Sequence, residues 1–516
     1  MISLQPSFTW SLFKKVLFVS CLITSSMDWT YAQSQIQWEH SYGGSDRDVL
    51  NKICSTPDGG FLLSGGTFSQ DGNINNYWGR SDAWVVKLDA EGELLWSKTY
   101  GGSKDDEFQD FIFTADGGYL FVGFSESDDG DVDNNYGITD YWVVKTDAIG
   151  DIEWEKNYGG FLADIPFSVV AANDGGYLIA GFSSSQDGDV GGTNGSNDFW
   201  LLKIGLAGNI EWEQNYGGME SDIARQVTAT PDGGYLVMGV SPQQEGSGWL
   251  IKVDALGTLE WEKHYASTVM RQFMVMRPTS DGGYLIGGTA DPSEDNVGMD
   301  NLNDIGLLKI TADGVVEWAK TFGGTGFEHL RDIQIAPSTA SYFIIADSGS
   351  DDGDVGPSLG IVDFWVLEIS PAGTLIWTQN FGGSSSDQPL SLQVLENHQL
   401  VIAGLTSSMD GDVGTALGNV DAWVVQLNNL LTSTDTSPTT QAPINLFPNP
   451  TTGWVQYRGL SMATPIQMEV MTSQGQLLQR NYLNGGAFNL SHLPAGAYLV
   501  RGIHADGVWV EWVIKE

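Results

Sequence analysis

A tryptophan-centred repeat with a period close to 58 residues is the feature that most constrains the fold of this chain. The frame Trp-x-x-x-(Tyr/Phe)-Gly-Gly, or a close variant of it, begins at Trp38, Trp96, Trp154, Trp212, Trp261, Trp318 and Trp377. Successive members are separated by 58, 58, 58, 49, 57 and 59 residues. A fixed period of this length is typical of repeat architectures such as propellers and solenoids.

Each period contains four short runs with the composition of β-strands. In the first period these runs are 49–55, 61–66, 83–88 and 93–99, which are rich in apolar, β-branched and aromatic residues and are separated by Gly and Asp. The repeats contain no apolar stripe of useful length at helical spacing. Four strands per period predict one blade of a β-propeller.

The two ends of the repeat region complement each other. With the strands of a blade named a, b, c and d, residues 35–41 form a lone d strand, six complete sets follow, and the last period stops after c at 421–427. A seventh blade made from both ends closes the ring and removes the open edges that favour aggregation. The sequence therefore predicts an all-β chain with a seven-bladed propeller over residues 33–430, and we expect a monomer.

The segment before the ring has the pattern of a secretory signal peptide at 1–32. Two lysines precede an apolar stretch at 16–23, and a cleavage site follows Ala32. This stretch is shorter than the roughly 20 apolar residues of a transmembrane helix, and no membrane span is expected. Cys21 lies in the leader in a context that fits a lipoprotein signal poorly, so lipidation is the minor alternative.

Charge and cysteine content restrict the partners. The formal net charge of -42 argues against nucleic acid, because phosphate binding needs a basic surface. An acidic surface also disfavours anionic membranes, whereas it permits cations or basic partners. Cys54 is the single cysteine after the leader, so ring closure must rest on packing and hydrogen bonds, and a small buried hydrophobic role is the preferred interpretation for its thiol.

A polar, proline-containing linker at 431–442 leads to a second domain at 443–516. Its separated motifs are Asn-Leu-Phe-Pro-Asn-Pro from residue 445, Met-Thr-Ser-Gln-Gly from residue 471, and Leu-Ser-His-Leu-Pro-Ala-Gly-Ala-Tyr from residue 490. Their order and spacing resemble the type A C-terminal sorting domain of the bacterial type IX secretion system. The motif residues that carry this resemblance are Pro448, Asn449, Pro450, Gly453, Gly475, Pro494, Gly496 and Tyr498.

The resemblance implies a small β-sandwich that directs the protein across the outer membrane. It also implies the type IX secretion machinery as a partner, and removal of the domain when the protein is released or attached to a surface glycolipid. Phe447 stands where the family often has Tyr, and Glu516 follows the usual terminal Lys. The expected location is therefore secreted, or attached to the outer-membrane surface.

The repeats themselves resemble two kinds of array. Asp-Gly-Gly turns followed by an aromatic-Trp-hydrophobic-hydrophobic-Lys strand, as at Trp142, are similar to arrays in exported proteins with this sorting domain, most of which have no assigned activity. Residues 87–96 also resemble the Asp-x-x-x-Gly-x-x-x-Trp motif of quinoprotein dehydrogenase propellers, which forms the c–d turn and docks a tryptophan between blades. Those enzymes use an adjacent cysteine pair, so a quinone cofactor is not expected here.

Alternating strand direction predicts that the d–a connections and long b–c loops share one face of the ring. The tight a–b and c–d turns share the other face, where they are expected to supply positive backbone dihedrals and little else. Five long loops have Asp-Gly followed by Asp or Asn, and then a further Asp at the start of strand c. Their candidate carboxylates are Asp71, Asp82, Asp129, Asp131, Asp140, Asp187, Asp189, Asp198, Asp352, Asp354, Asp363, Asp410, Asp412 and Asp421.

The more specific hypothesis is that these loops bind calcium, because calcium takes 6 to 8 oxygen ligands from carboxylates, carbonyls and water. The alternative is that Asp-Gly is an ordinary turn dipeptide and that the Asp at the start of strand c caps amides of its own loop. Repeat four replaces the acidic loop by the shorter segment 241–248. A blade can therefore form without the motif, which slightly favours a ligand or ion. The short loop leaves a notch in this face, which is a further candidate site. Tyr77, Trp78 and Tyr136 are the aromatic residues that could contact a sugar or peptide there.

Catalytic motifs are close to absent from the sequence. A Gly-x-Ser-x-Gly pattern at Ser358 falls in an acidic β-loop, whereas the hydrolase elbow joins a strand to a helix, so we interpret it as chance. Paired carboxylates for glycoside cleavage stay open, because Asp is abundant. The favoured function is a non-catalytic propeller that binds an extracellular glycan or protein. The alternatives are an extracellular glycan- or polymer-degrading enzyme and a passive structural surface protein.

Overall fold

The structure is a computed structural model. It describes residues 36–515 except 243–247, 266–269, 271, 291–302, 338, 396–397, 429–444, 448–450, 453, 459–465, 472–476, 484–486, 495 and 505–506. Every regular element in the described part of the chain is a β-strand. The predicted signal peptide with its cleavage site after Ala32, the linker at 431–442, and Pro448, Asn449, Pro450, Gly453 and Gly475 lie outside the described residues.

Among the described residues, 28 strands precede the linker and seven follow it. The first group is β1 (Ile36–Tyr42), β2 (Asp48–Ser55), β3 (Phe61–Thr67), β4 (Asp82–Leu88), β5 (Leu94–Tyr100), β6 (Asp106–Phe113), β7 (Tyr119–Ser125), β8 (Asp140–Thr146), β9 (Ile152–Tyr158), β10 (Asp164–Ala171), β11 (Tyr177–Ser183), β12 (Asp198–Ile204), β13 (Ile210–Tyr216), β14 (Ile223–Ala229), β15 (Tyr235–Val240), β16 (Gly248–Val253), β17 (Leu259–Tyr265), β18 (Gln272–Pro278), β19 (Tyr284–Ala290), β20 (Asp304–Ile310), β21 (Val316–Phe322), β22 (Glu328–Ile335), β23 (Tyr342–Ser348), β24 (Asp363–Ile369), β25 (Leu375–Phe381), β26 (Asp387–Val394), β27 (Leu400–Thr406) and β28 (Asp421–Leu427). The second group is β29 (Asn445–Phe447), β30 (Trp454–Arg458), β31 (Ile466–Met471), β32 (Leu477–Leu483), β33 (Ala487–Asn489), β34 (Gly496–His504) and β35 (Gly507–Lys515).

The first 28 strands form seven four-stranded antiparallel sheets, which are the blades of a propeller. Blades 1 to 6 are β2–β5, β6–β9, β10–β13, β14–β17, β18–β21 and β22–β25. Blade 7 contains β26, β27 and β28, and β1 from the other end of the ring is its outer strand. His40 of β1 lies opposite Val424 of β28. The predicted seven blades and their closure by the N-terminal strand are confirmed.

The core lies between blades. Strands b and c are covered by a neighbouring blade on each side, so the c strands are almost entirely buried, in keeping with their near-continuous apolar sequences. Tyr141 and Val143 of blade 2 share a cluster with Ile179 and Trp200 of blade 3. Equivalent clusters recur around the ring, and they hold it together without a covalent link.

Five d strands end in a tyrosine that ties its blade to the next. The hydroxyl of Tyr100 donates a 2.7 Å hydrogen bond to the carbonyl of Gly150 in the c–d turn of blade 2. Gly150 has φ of 80°, and a Cβ there would crowd both Tyr100 and Trp96. Tyr265 makes the same bond to Gly314 at 2.8 Å. The role expected for the Asp-x-x-x-Gly-x-x-x-Trp motif, a c–d turn with a docked tryptophan, is confirmed.

The Asp-Gly-Gly turns do more than reverse the chain, which corrects the expectation for this face. The buried Lys145 ammonium lies 3.0 Å from Asp116 of the turn and 2.7 Å from Glu153 of the d strand. Hydrogen bonding from Thr114, and then from Lys145, lowers the pKa of Asp116 to about 2. The pair recurs in Asp58–Lys87, Asp174–Lys203, Asp232–Lys252 and Asp281–Lys309.

The strands after the linker form a three-stranded sheet in the order β29-β30-β33 and a four-stranded sheet in the order β32-β31-β34-β35. Tyr498 is buried, and its hydroxyl donates to the carbonyl of Pro494 at 2.8 Å, while Gly496 begins β34. Two sheets are compatible with the predicted sandwich, which stays a prediction. Among the described residues, no helix has the length and apolar character needed to cross a bilayer.

Candidate functional site

The acidic loops lie on the face predicted for them. Each b–c loop forms hydrogen bonds with the d–a connection that leads from the preceding blade into its own blade. In blade 2, Asp129 Oδ1 accepts a 2.7 Å hydrogen bond from the amide of Ser103. The amide of Asp131 donates to the carbonyl of Gly101 at 2.9 Å, and its Oδ2 accepts from the Gly101 amide at 3.3 Å. The Asp-Gly-Asp turn is therefore a clamp on the Gly-Gly connection between blades 1 and 2.

The same clamp recurs in the other acidic loops. The first carboxylate accepts an amide hydrogen bond of 2.7 or 2.8 Å at Asp71, Asp187, Asp352 and Asp410. The second residue donates its amide to the first glycine carbonyl at 2.9 Å at Asp189, Asp354 and Asp412. The sequence placed these residues in one loop, but it did not reveal that their partner is the preceding connection.

The Asp that begins each c strand caps its own loop. Asp140 Oδ2 accepts a 2.5 Å hydrogen bond from the amide of Tyr136, and Asp82 Oδ2 accepts one of 2.7 Å from Trp78. The equivalent capped amides are Asn194 for Asp198, Leu359 for Asp363 and Leu417 for Asp421. Each of these five aspartates therefore caps an amide of its own loop.

A second buried acid stands beside each of these aspartates. Asp140 and Asp164, the first residue of the next a strand, are both fully buried, and a Cβ on Gly159 would overlap oxygens of both. Oδ1 of each has no hydrogen-bond partner. Burial, followed by the charge of Asp164, raises the pKa of Asp140 to about 7. The six pairs are Asp82–Asp106, Asp140–Asp164, Asp198–Asp222, Asp304–Glu328, Asp363–Asp387 and Asp421–Asp48.

In the sequence, the junction between blades 4 and 5 has neither the two acids nor the Gly-Gly connection. Ser247 and Arg271 stand at the two acidic positions, and Ala266-Ser267 replaces Gly-Gly. The junction between blades 3 and 4 keeps both the pair and Gly217, although its loop has no Asp-Gly-Asp. Glycine is thus retained where two carboxylates occupy the space of a Cβ, and it is lost where they are absent. The link between the glycine and the two acids was not predicted, although the aligned repeats show that they occur together.

Calcium stays a prediction for this face. Within the described ranges, no three His, Cys, Asp or Glu side chains gather as a metal site. The clamp carboxylates Asp129 and Asp131 already accept amide hydrogens. Oxygens without a partner remain instead at the buried pairs, as in Asp140 and Asp164.

The capped loops present large side chains to solvent. Trp78 is 62% exposed and Tyr136 is 56% exposed, and Leu359 and Leu417 are exposed at the same loop position in blades 6 and 7. A depression of about 390 Å³ lies beside Trp78. Its other lining groups include Asn75, Asn76, Lys98, Asp131 and Asp151. This combination of an aromatic ring with amide, ammonium and carboxylate groups suits a polar ligand with one apolar face.

The aromatics predicted for a notch at blade 4 lie elsewhere. Trp78 and Tyr136 belong to blades 1 and 2, and blade 3 separates them from blade 4. Tyr77 is half-buried and packs on the core between blades 7 and 1. The hydroxyl of Ser358 donates to the carbonyl of Gly360 at 2.8 Å within a b–c loop, so the Gly-x-Ser-x-Gly pattern forms no nucleophile elbow.

Comparison with known proteins decides the nature of the C-terminal domain. Residues 445–516 match the family described as the secretion system C-terminal sorting domain. This region is a type IX secretion sorting domain. The match confirms the resemblance of the three motifs, and with it the export of the propeller to the cell surface or beyond.

Relatives of the remaining chain are distant. A 174-residue stretch is 24% identical to the regulatory protein FlaEY of Caulobacter vibrioides, covering 31% of this chain and 18% of that protein. PorZ of Porphyromonas gingivalis, a surface component of the type IX secretion system, has 10% identity and a TM-score of 0.36, with 92% of this chain and 70% of that chain covered. A fungal alcohol oxidase of the AA5 family in complex with copper has 12% identity and a TM-score of 0.40, with 93% and 99% covered. At these identities and scores the likenesses say nothing about function.

Proposed function

We propose that this exported propeller binds an extracellular glycan or protein in the depression beside Trp78 and performs no chemistry there. The depression extends from the long loop of blade 1 along strand β5 to the c–d turn of blade 2. The sorting domain supports the export of the ring. The depression beside Trp78 carries the binding proposal, because an exposed indole next to polar groups offers a stacking surface and hydrogen-bond partners together. Of the two ligand classes, this chemistry favours a glycan.

The loops are held in place before any ligand arrives. Asp82 accepts hydrogen bonds from the amides of Trp78 and Gly79 at 2.7 and 3.0 Å, which fixes the loop position that carries the indole. Thr99 donates to the carbonyl of Asn75 at 2.5 Å. Binding to such a loop costs little ordering entropy, which favours affinity.

The carboxylates near the depression support binding rather than catalysis. Asp151 lies 2.5 Å from the Lys98 ammonium, and Asp131 accepts a hydrogen bond from a backbone amide. A glycosidase needs one carboxyl that protonates the leaving group and another that attacks or activates water. Two acids that are already engaged with a cation and an amide are poorly suited to those roles.

A glycan array probed with the purified mature protein tests this proposal. Trp78→Ala removes the stacking surface, and we expect affinity for any glycan that binds to fall about two- to tenfold, since stacking contributes about 0.5–1.5 kcal/mol. Leu359→Ala, at the same loop position in blade 6, is the matched control and should bind normally. Equal binding by both variants would remove Trp78 from the site, and hydrolysis of a bound glycan would favour the enzyme alternative.

We further propose that the sorting domain is removed after export, as the resemblance implies. Intact-mass measurement of the extracellular protein is expected to give a C-terminus between the end of β28 and the start of β29. The leader should be absent, with Gln33 as the first residue. Recovery of protein that still ends at Glu516 would contradict removal of the domain.

A further inference from the structure

The a strands of all seven blades line a central channel. Each a–b pair has a β-bulge at the same place, as between Leu50 and Lys52 in blade 1. A bulge turns two successive side chains to one side of a strand. In the channel these are Asn51 and Lys52 in blade 1, and Gln109 and Asp110 in blade 2. The same feature of the fold thus brings polar side chains from around the ring into one cavity.

The second bulge residue usually accepts a hydrogen bond from the next blade. Ser168 Oγ accepts from the amide of Val227 at 3.4 Å, and Gln226 Oε1 accepts from that of Met276 at 2.7 Å. Ser391 Oγ accepts from the amide of Ile53 at 3.2 Å and closes the ring. These side chains are therefore occupied by the framework.

Two blades cannot supply this acceptor, because Lys52 and Val275 occupy the position. The next blade compensates in both cases with an aspartate. Asp110 accepts from the amide of Phe111 at 2.9 Å and from that of Val169 at 3.0 Å, and it lies 3.0 Å from the Lys52 ammonium.

Asp332 makes the corresponding set of contacts. It accepts from the amide of Ile333 at 2.7 Å and from that of Leu392 at 2.9 Å, and it pairs with Arg277. Both channel carboxylates are therefore used by neighbouring amides and cations.

Arg225 is a channel cation without an acidic partner among the described residues. Arg331 pairs with Asp347, whereas Arg225 has no ion pair among the described residues. Its guanidinium lies 4.7 Å from the centroid of the Phe167 ring, and its buried Nε has no hydrogen-bond partner. Desolvation lowers the pKa of Arg225. Arg225 is partly exposed to the channel, and the two channel carboxylates are already engaged with other groups, so its guanidinium is open to an added anion.

We propose that the central channel binds an oxyanion, a carboxylate or phosphate group, with Arg225 as its principal contact. The planar guanidinium offers paired N–H donors that match two oxygens of such a group. Its contact with the Phe167 ring fixes the orientation of the guanidinium plane. The cavity has about 160 Å³, below the 300–1,000 Å³ of a typical ligand pocket, so it accommodates a small anion or one anionic group of a larger molecule. The depression beside Trp78 is lined by other residues, so this site is independent of the proposed glycan site.

Isothermal titration of the mature protein with sodium phosphate, and separately with sodium glucuronate, tests the site at constant ionic strength. The wild-type protein is expected to bind at least one of them. Arg225→Gln should weaken that affinity about tenfold or more, which is the effect of losing about 1.4 kcal/mol of binding free energy. Arg47→Gln removes the same charge from an exposed side chain outside the channel and should bind as the wild type does. A response to phosphate alone or to glucuronate alone assigns the preferred oxyanion.

Arg225→Met and Arg225→Lys separate binding from folding. Met retains packing on Phe167 without a charge, so the variant should be at least as stable as the wild type without anion and should not bind it. Lys keeps the charge without the planar fork and should bind with intermediate affinity. Equal anion affinity in the wild type and either Arg225→Gln or Arg225→Met overturns the proposal, as does the absence of binding of both anions by the wild type.

Discussion

Two buried carboxylates at one junction oppose each other, and they resist ionisation for two reasons. Burial disfavours the charged form of each, and a neighbouring negative charge adds to the penalty. Asp140 shows both effects, and desolvation raises the pKa of Asp164 as well. At neutral pH such a pair is stabilised either by keeping a proton or by holding a cation. Periodicity predicted one acid in five of the six pairs but not the pairing, because the two positions belong to different repeats.

Asp140→Asn should make folding less sensitive to pH. The folded-state pKa of Asp140 is about 7, and an unfolded aspartate titrates near 3.9. As the pH rises from about 4 to 7, the unfolded chain loses its proton first, so this group's stabilising contribution is present at low pH and lost as the pH approaches 7. Urea unfolding between pH 4.5 and 8 should show a smaller decline for the variant, and a higher free energy of unfolding at pH 7.5 by roughly 1–3 kcal/mol.

Asp46→Asn, at an exposed position, is the control and should leave the pH profile unchanged. A loss of stability in Asp140→Asn at pH 7.5 would show that the folded protein needs the charged form. A bound cation would then be the better explanation of the pair.

The strands were largely predictable from the sequence, because their alternation, their turn residues and the 58-residue period agree with one another. The observed b strand of blade 1, Phe61–Thr67, differs from the predicted range by one residue. The contacts between loops were not predictable in the same way. Asp129 bonds to Ser103 across 26 residues, and the chain between them includes two strands, so local sequence gives no indication of the partner. The link between Lys145 and Asp116 was missed for the same reason.

Asp129→Ala tests whether the acidic loop is a clamp or a metal site. Loss of the bond to the Ser103 amide should lower the free energy of unfolding by about 1 kcal/mol, equally in excess EDTA and in millimolar calcium. Asp128→Ala changes the exposed neighbouring residue and should have little effect. Calcium bound to the folded state alone must raise the unfolding midpoint. A rise in the wild type that disappears in Asp129→Ala would therefore place the ion in the loop after all.

Closure of the ring depends on seven residues that lie far from their partners in sequence. Strand β1 pairs with β28, and Trp423 Nε1 donates to Glu39 at 3.0 Å. Trp38 and Tyr42 pack into the cluster that joins blades 7 and 1. The sequence predicted this closure because the count of strands left one d strand at one end and three strands at the other. It could not predict the channel, whose character depends on single residues at seven equivalent positions.

Deletion of residues 33–42 from the mature protein should open the ring and expose the edge of β28. A long, apolar, unpaired strand edge associates with other chains, so we expect a lower unfolding midpoint together with dimers or larger species. Thermal unfolding and light scattering during size-exclusion chromatography measure the two effects. Deletion of residues 33–35 alone removes nothing from β1 and should leave a stable monomer. If the longer deletion also gives a monomer with an unchanged midpoint, β1 is dispensable and the ring is held by the contacts between the other blades.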